Sequence, residues 1–438
     1  MKRLYANELN KKLAGKKATI AGWVFEIRDF GKLKFVKIRD KTGYVQVTAH
    51  KANVSEELFS ELNNLTKESV VIITGELKAE KQAPNGVELI PSKVELLARA
   101  ETPVPLDISG KIKSELPSRL DWRCIDLRTP ENQAIIKIES KLLEGMRDEL
   151  LKQDFTQVFT PCLMGAPSES GSEVFSVNYH NDKKVFLRQD PQLHRQLSIA
   201  SGIEKVFDIG PCWRAEKSHT TQHLSEHRVV AAEMAFLNDE TDTIRLQEDL
   251  IISAMTKVNK DCKAELELLG VKVNVPTKPF PEFRFPEIYN ILEKEGCKIK
   301  RGEDLDAEAN NIFWEYVQKK HKSEFYFFNR FPSAIKPFYV MRVDDEPDYA
   351  RSVDLNFRGT ELSSGGQREH RYDKIISQLH ASGMSEKSLE WFTKFFKYGV
   401  PPHGGFAIGI ERITKTLLNI ENIREVVLFP RDTERILP

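Results

Sequence analysis

The stretch Lys205-Val-Phe-Asp-Ile-Gly-Pro-Cys-Trp-Arg-Ala-Glu216 is a β-type run that ends on a cation and an acid, Arg214 and Glu216. A polar segment, Lys217-Ser-His-Thr-Thr-Gln-His-Leu-Ser-Glu226, follows it, and residues 229–237 form a second β run. Two strands joined by a long polar loop make an antiparallel hairpin with cationic and hydrogen-bonding groups at its tip. Arg214 can give paired hydrogen bonds to a phosphate or carboxylate, and Glu216 can accept from an exocyclic amine. An Arg/Glu pair at a strand end is by itself more often an exposed salt bridge, so the hairpin needs company.

Upstream, Thr129 is placed to cap a helix, with Pro130 in its first turn and Glu131 near the positive end of its dipole. Ile135, Ile138, Leu142, Met146 and Leu150 recur at three- and four-residue spacing and make one apolar face. The helix runs into Phe155-Thr-Gln-Val-Phe-Thr-Pro161, which reads as a strand ended by proline. Downstream, helical patterns over 243–258 and 385–396 alternate irregularly with β runs. No repeated βαβ period appears, so an α+β fold with a mixed, mostly antiparallel sheet flanked by helices is expected over 130–438.

Two further segments in this region carry chemistry. In Asp354-Leu-Asn-Phe-Arg-Gly-Thr-Glu-Leu-Ser-Ser-Gly-Gly-Gln-Arg-Glu-His-Arg371, Glu361 and Ser364 can offer oxygens to a phosphate-bridging divalent ion, with Arg368 following on an expected loop. Pro401-Pro-His-Gly-Gly-Phe-Ala-Ile-Gly-Ile-Glu-Arg412 reads as a glycine-rich strand entering a helix, which brings backbone close to a ligand and aims Arg412 at a polyphosphate.

The N-terminal part differs in kind. Residues 18–27, 34–39, 44–49, 70–77 and 87–96 are five short β runs, with one helical insertion near 55–64. Turn signals such as Asp40-Lys-Thr-Gly43 and Pro84-Asn-Gly86 separate them, a layout that fits a small five-stranded Greek-key barrel of the OB type. Twelve basic side chains against four acids give residues 1–50 a net charge of +8, while the whole chain carries none. A basic barrel on an acidic body suits a phosphate backbone, and Phe25, Phe35 and Tyr44 lie among Arg28, Lys32, Lys34 and Lys37 as candidate stacking platforms. Each such aromatic is as often core. The domain expectation is a barrel over 1–101, a Pro-bearing hinge over 102–129 and the α+β domain over 130–438.

Composition bounds the rest. In 438 residues, Lys+Arg and Asp+Glu each total 65, so bulk charge does not coat nucleic acid and DNA is not an expected partner. No apolar run reaches membrane length, no leader pattern is present, and five scattered cysteines lack a C-x-x-C pair. A reducing cytoplasm is expected, with no membrane partner.

In order, spacing and content, the helix-strand ending at Pro161, the Arg214/Glu216 hairpin and the glycine-rich strand-helix with Arg412 resemble the three signature motifs of class II aminoacyl-tRNA synthetases. Around them, Arg188-Gln-Asp-Pro-Gln-Leu-His-Arg-Gln196, Ser363-Ser-Gly-Gly-Gln-Arg-Glu-His-Arg371 and Pro401-Pro-His-Gly-Gly405 look like the aspartyl enzymes of archaeal and eukaryotic type. The resemblance covers essentially the whole chain. It implies activation of L-aspartate by ATP with Mg²⁺, transfer to tRNA-Asp, and a homodimer through the first motif. The barrel would then bind the anticodon.

The resemblance also assigns residues. Arg214, Glu216, His223 and Arg412 would be catalytic, and Ala215, Gln222, Leu224, Glu361, Gly409, Ile410 and Glu411 would join them around ATP. Glu361 and Ser364 would hold Mg²⁺. Glu169, Gln192, Arg195, Arg214, Ser364 and Arg368 would bind aspartate, with Arg368 clamping its side-chain carboxylate, helped by Arg195. Phe25, Arg28, Phe35, Gln46 and Pro84 would meet the anticodon. Departures stand out: Arg195 replaces a usual lysine, Ala231 a usual acid, Ala407 a usual glycine, and Gln222 a usual arginine. Together these add local positive charge. Pro84 stands where relatives strict for tRNA-Asp tend to carry lysine, which implies that tRNA-Asn is charged too. The alternatives are an asparaginyl enzyme and an asparagine-forming or binding paralogue.

Overall fold

The structure is a computed structural model that describes residues 3–112, 114–167, 173–215, 217 and 220–437. It divides into two compact units at the 126/127 boundary, inside the stretch expected as a hinge.

In the first unit, strands β1 (Lys17–Asp29), β2 (Leu33–Asp40), β3 (Gly43–His50), β4 (Val70–Ala79) and β5 (Val87–Ala98) close into a barrel in the order β1-β2-β3-β5-β4. β3 and β5 run parallel and the other pairs antiparallel. All five expected strands form, each extended by a residue or more at one or both ends. Alternation is the cause: Val36, Ile38, Val45, Val47, Val71, Ile73 and Leu89 point inward and are buried. Helix α1 (Glu56–Asn63) starts where Ser55 Oγ accepts from Leu58 N at 3.2 Å. Two short helices, α2 (Leu116–Asp121) and α3 (Arg123–Asp126), end the unit, tied by Arg119 to Asp126 at 2.9 Å.

The second unit begins with α4 (Pro130–Lys152), capped by Thr129 Oγ1 accepting from Asn132 N at 3.3 Å. Its expected apolar face is buried in full, against α6 (Thr241–Asp261) and α7 (Lys263–Leu269). The approach is close because Gly145 has no side chain. A Cβ there would stand 2.7 Å from Ala254 Cα.

The expected strand over 155–161 is reduced to β6 (Thr156–Gln157), leaving Phe159 89% exposed. A small sheet of β7 (Leu163–Met164), β8 (Ser176–Asn178) and β9 (Lys184–Leu187) precedes α5 (Gln192–Ala200). Strands β10 (Lys205–Trp213) and β11 (Glu226–Ala235) form the expected hairpin. Beyond α6 and α7 come β12 (Glu282–Arg284), α8 (Glu287–Lys294), α9 (Ala307–His321) and β13 (Phe325–Asn329). Then β14 (Ser352–Phe357), β15 (Thr360–Arg368), α10 (Tyr372–Ala381), α11 (Glu386–Thr393), β16 (His403–Gly409) and α12 (Ile410–Leu417) complete the unit.

The eight-stranded sheet has the order β12-β13-β14-β15-β16-β11-β10-β6 and is antiparallel except at its two edge pairs. Sequence-distant β11 and β16 lie side by side, which brings the hairpin to the glycine-rich strand. Arg368 is the last residue of β15, not on a loop as expected, because β15 stays paired to β16 as far as His403.

Glu139 on α4 carries a strain that solution can detect. Its Oε2 is buried with no hydrogen-bond partner. Burial, then the charge of Glu411, pushes its carboxyl up to about 8 against the pull of Arg228. The folded chain therefore holds a proton that the unfolded chain loses near pH 4.5. That contribution to stability is full below pH 4.5 and is lost as pH rises to about 8. Glu139→Gln should remove the dependence. Melting temperatures measured from pH 4.5 to 9 should show wild type losing ground to the variant up to about pH 8 and none thereafter.

Candidate active site

Register builds the floor of the site. Asp354, Ser364, Ala407, Ala231 and Asp208 are direct partners across β14, β15, β16, β11 and β10, one row on one face of the sheet. Over this face lies a cavity of about 380 Å³. Glu361 and Arg368 both line it, yet stand seven residues apart on β15, roughly 20 Å along an extended strand. The cavity is therefore long, with two chemically different ends.

At the Arg368 end, Arg368, Gln192 and Glu233 fix one another. Arg368 Nε donates to Glu233 Oε1 at 3.0 Å, and its Nη2 donates to Gln192 Oε1 at 2.8 Å and Gly405 O at 2.9 Å. Gln192 Nε2 donates to Glu233 Oε2 at 3.0 Å, which settles which way the amide faces. Glu233 is wholly buried. Beneath Arg368, His403 Nδ1 donates to Pro401 O at 2.8 Å and its Nε2 meets the Gln196 side-chain amide, and burial pushes its imidazole down to about 4, so it is neutral at pH 7.

Arg195 does not reach the cavity. It is 0% exposed, with Nη2 at 2.9 Å from both Asp190 Oδ1 and Gln192 Oε1, and Nη1 at 3.2 Å from Asp208 Oδ1. Of the two arginines expected as a clamp, Arg368 lines the cavity, while two aspartates hold the Arg195 guanidinium behind Gln192.

At the other end, Arg214, Gln222, His223, Leu224, Glu361, Ser364, Gly409, Glu411 and Arg412 line the wall together. Arg412 Nη1 lies 3.5 Å from Glu361 Oε1, and Thr220 Oγ1 lies 2.6 Å from His223 Nδ1. Ala215 and Ile410 are not on the wall. Ala215 is held by its N–H to Glu173 O at 3.0 Å, and Ile410 is turned into the core. Glu169 and Glu216 lie outside the described residues.

Sequence reasoning missed several wall residues, Lys336, Asp190 and His227 among them. Lys336 donates to Asp354 Oδ2 at 2.9 Å from a loop with no motif. Asp190 lines the wall beside Gln192. His227 sits within β11, where burial, then Arg214 and Arg412, pushes it down to about 4. Only Asp190 was signalled, by its place in the quoted Arg188–Gln196 stretch.

Glu361 and Ser364 are both exposed to the cavity, and the buried Asp354 stands directly behind Ser364 with Oδ1 unpartnered. Burial, opposed by Lys336, pushes the Asp354 carboxyl up to about 6. An all-oxygen set of so few ligands fits a hard divalent ion that completes its shell with water and phosphate. No cluster of three or more His, Cys, Asp or Glu side chains among the described residues makes a self-sufficient metal cage.

In the barrel, Arg28, Phe35 and Thr48 are direct partners, as are Glu26, Lys37 and Gln46, so the expected anticodon residues other than Pro84 share one outer face. Lys37 Nζ lies over the Tyr44 ring at 4.6 Å and the Phe25 ring at 5.8 Å. Gln46 Nε2 lies 3.4 Å from Glu88 Oε2, and Arg28 is paired with Glu26 at 2.9 Å. Pro84 opens the turn Pro84–Gly86, which Asn85 Nδ2 ties to Ala6 O at 2.8 Å.

Family profiles match both units: "tRNA synthetases class II (D, K and N)" over residues 115–433 and "OB-fold nucleic acid binding domain" over 18–97. The chain belongs to the class II tRNA synthetases. It is 43% identical over 434 residues to the aspartate–tRNA(Asp) ligase of Pyrococcus furiosus, covering 99% of each chain. It is 40% identical over 438 residues to the aspartate–tRNA(Asp/Asn) ligase of Methanopyrus kandleri, covering all of both. Among solved structures it superposes with a TM-score of 0.93 on asparaginyl-tRNA synthetase from Pyrococcus horikoshii complexed with asparaginyl-adenylate, at 33% identity and full coverage of both.

For a class II synthetase these glycines are not equivalent. A Cβ on Gly405 would stand 2.0 Å from Ala232 O and 2.4 Å from Glu233 Oε2, whereas on Gly409 the nearest atom is 3.7 Å away. Gly405→Ala should cost roughly 3 kcal/mol or more, by overpacking and by displacing the Glu233 carboxylate. Gly409→Ala should melt within about 1 kcal/mol of wild type, as ordinary contacts allow. Urea unfolding of the two variants side by side checks the contrast.

Proposed function

We propose that the chain is an aspartate–tRNA ligase: it joins L-aspartate to ATP and passes the aspartyl group to the 3′ end of tRNA-Asp, and also of tRNA-Asn. The observation that carries this is the two-ended cavity, with Arg368 fixed by Glu233, Gln192 and Gly405 at one end and Arg214, His223 and Arg412 gathered at the other. A guanidinium locked in three directions recognises a small anionic side chain, and a spread of cations recognises a polyphosphate. The names of the relatives support aspartate as the amino acid.

In the first step the α-carboxylate oxygen attacks the α-phosphorus and pyrophosphate leaves. Arg214 holds the carboxylate and α-phosphate in line, and Arg412 and His223 carry charge building on the leaving phosphates. Glu361 and Ser364 would hold Mg²⁺, which neutralises phosphate charge when bound. In the second step the terminal ribose hydroxyl of the tRNA attacks the aspartyl carbonyl and AMP leaves. No protein nucleophile is required. Glu169 and Gln192 would receive the substrate ammonium, and Glu216 the adenine amine. A homodimer through α4 and the segment ending at Pro161 completes the reading, supported by the exposed Phe159 beside that proline.

A second reading, asparagine activation, is favoured by one observation: the cations around Arg368 are matched by buried acids, so the pocket is not strongly positive. Amino-acid-dependent ATP–pyrophosphate exchange separates the two. Exchange with aspartate and little with asparagine is expected. Arg368→Ala should lower kcat/KM for aspartate by on the order of 10³-fold, since it leaves a carboxylate buried without its partner. Equal loss of ATP affinity would sink the assignment of Arg368 to the amino acid.

The tRNA choice is read in the barrel. The wild type should aspartylate tRNA-Asn at a rate comparable with tRNA-Asp. Pro84→Lys should lower charging of tRNA-Asn by about tenfold, the effect of one gained base-edge discrimination. A wild type that leaves tRNA-Asn uncharged overturns the relaxed reading and leaves Pro84 as a turn residue only.

A further inference from the structure

Arg195 is buried completely, yet three carboxylates surround it. Asp190 lies at 2.9 Å, Asp208 at 3.2 Å and Glu233 at 4.0 Å. Burial works against its charge, and the fields of Asp190, Asp208 and Glu233 more than offset it. Arg188 joins the group at 3.6 Å from Asp208 Oδ2, and Arg368 at 3.0 Å from Glu233. Three guanidiniums and three carboxylates thus cancel within one buried network behind the amino-acid end of the cavity.

Among these acids Asp190 alone also lines the cavity, with its side chain 16% exposed. Ala231 and Ala407 in the floor row carry no charge, and Cys212, packed with them, is kept a thiol by burial. The balance at this end therefore turns on one side chain that faces the substrate.

We propose that Asp190 is a specificity-determining residue that lowers the preference for a carboxylate side chain over an amide by occupying Arg195 and cancelling its charge. The proposal rests on the aspartate-activation reading. Its physical content is a difference between substrates. Without the Asp190 charge the network carries +1 and the Nη2 group loses its acid, so a substrate carboxylate a few ångströms away gains attraction, while a neutral amide gains little. If Asp190 served only as scaffolding, its loss would lower both substrates alike.

The test uses the full-length chain. Asp190→Asn and Asp190→Ser remove the charge, one near-isosterically and one with a smaller group, and Asp190→Glu keeps it. For each, kcat/KM in ATP–pyrophosphate exchange is measured with aspartate and with asparagine. The ratio of the two should rise by on the order of tenfold in the neutral variants, mainly through a lower KM for aspartate, given one unit charge at an intermediate effective dielectric. Asp190→Glu should restore the wild-type ratio. An unchanged or lower ratio in both neutral variants overturns the proposal. A wild type inactive with aspartate would instead overturn the functional reading, so the two failures are told apart by the unmutated enzyme.

Discussion

The carboxylate of Glu233 is the constraint from which the rest of the site follows. It is wholly buried in the middle of β11 and answers to Arg368 through one oxygen and to Gln192 through the other. An ionised acid in such a place costs several kcal/mol to desolvate, and only matched, well-aimed donors return that cost. The donors must therefore stay where they are. Arg368 cannot swing because Gly405 O takes its second direction, and Gly405 has no side chain because Glu233 occupies the space a Cβ would need. Strand, glycine, acid and cation are one arrangement.

Electrostatics then divides the cavity. At the Arg368 end the protein meets its own charges: Arg195 with Asp190 and Asp208, and Arg368 with Glu233. A ligand there is selected by geometry and by small imbalances of field, because little net charge remains. The other end is more open. Among the described residues Arg412 is paired with the half-exposed Glu361, and His223 is engaged by a hydroxyl. A polyphosphate brings the anions that those groups lack. His227, held neutral between Arg214 and Arg412, adds a flat ring to that wall without adding a third full charge.

The barrel shows the same economy of charge. Its first fifty residues carry a formal +8 after their own acids are counted, and three of their cations are paired. Lys34 pairs with Asp29, Arg28 with Glu26, and Arg39 with the buried Glu68. What remains on the outer face is Lys37 above Phe25 and Tyr44, with Gln46 and Phe35 in register beside it.

The sequence by itself determined the elements and the inventory of chemistry. Period-two alternation marked all five barrel strands, because a β-strand buries every second side chain whatever it later pairs with. Three- and four-residue spacing and a Thr-Pro start marked α4 for the same local reason. Arg214, His223, Glu361, Ser364, Arg368 and Arg412 were legible because they sit inside ordered motifs, and all of them line the cavity. What only the tertiary structure decided was which charges are already spent. Arg195 looked like a second clamp, since a sequence shows a cation but not the acids that face it across a fold. Asp208 stands thirteen residues along the chain from it and Glu233 thirty-eight, and β10, β11 and α5 had to pack before either became its counter-ion. Lys336 was invisible for the converse reason: it lies on a loop without periodicity or motif, and β14 alone gives it its partner, Asp354. Motifs fix what the chain holds locally. Long-range pairing through the sheet fixes the sign and strength of the field it presents.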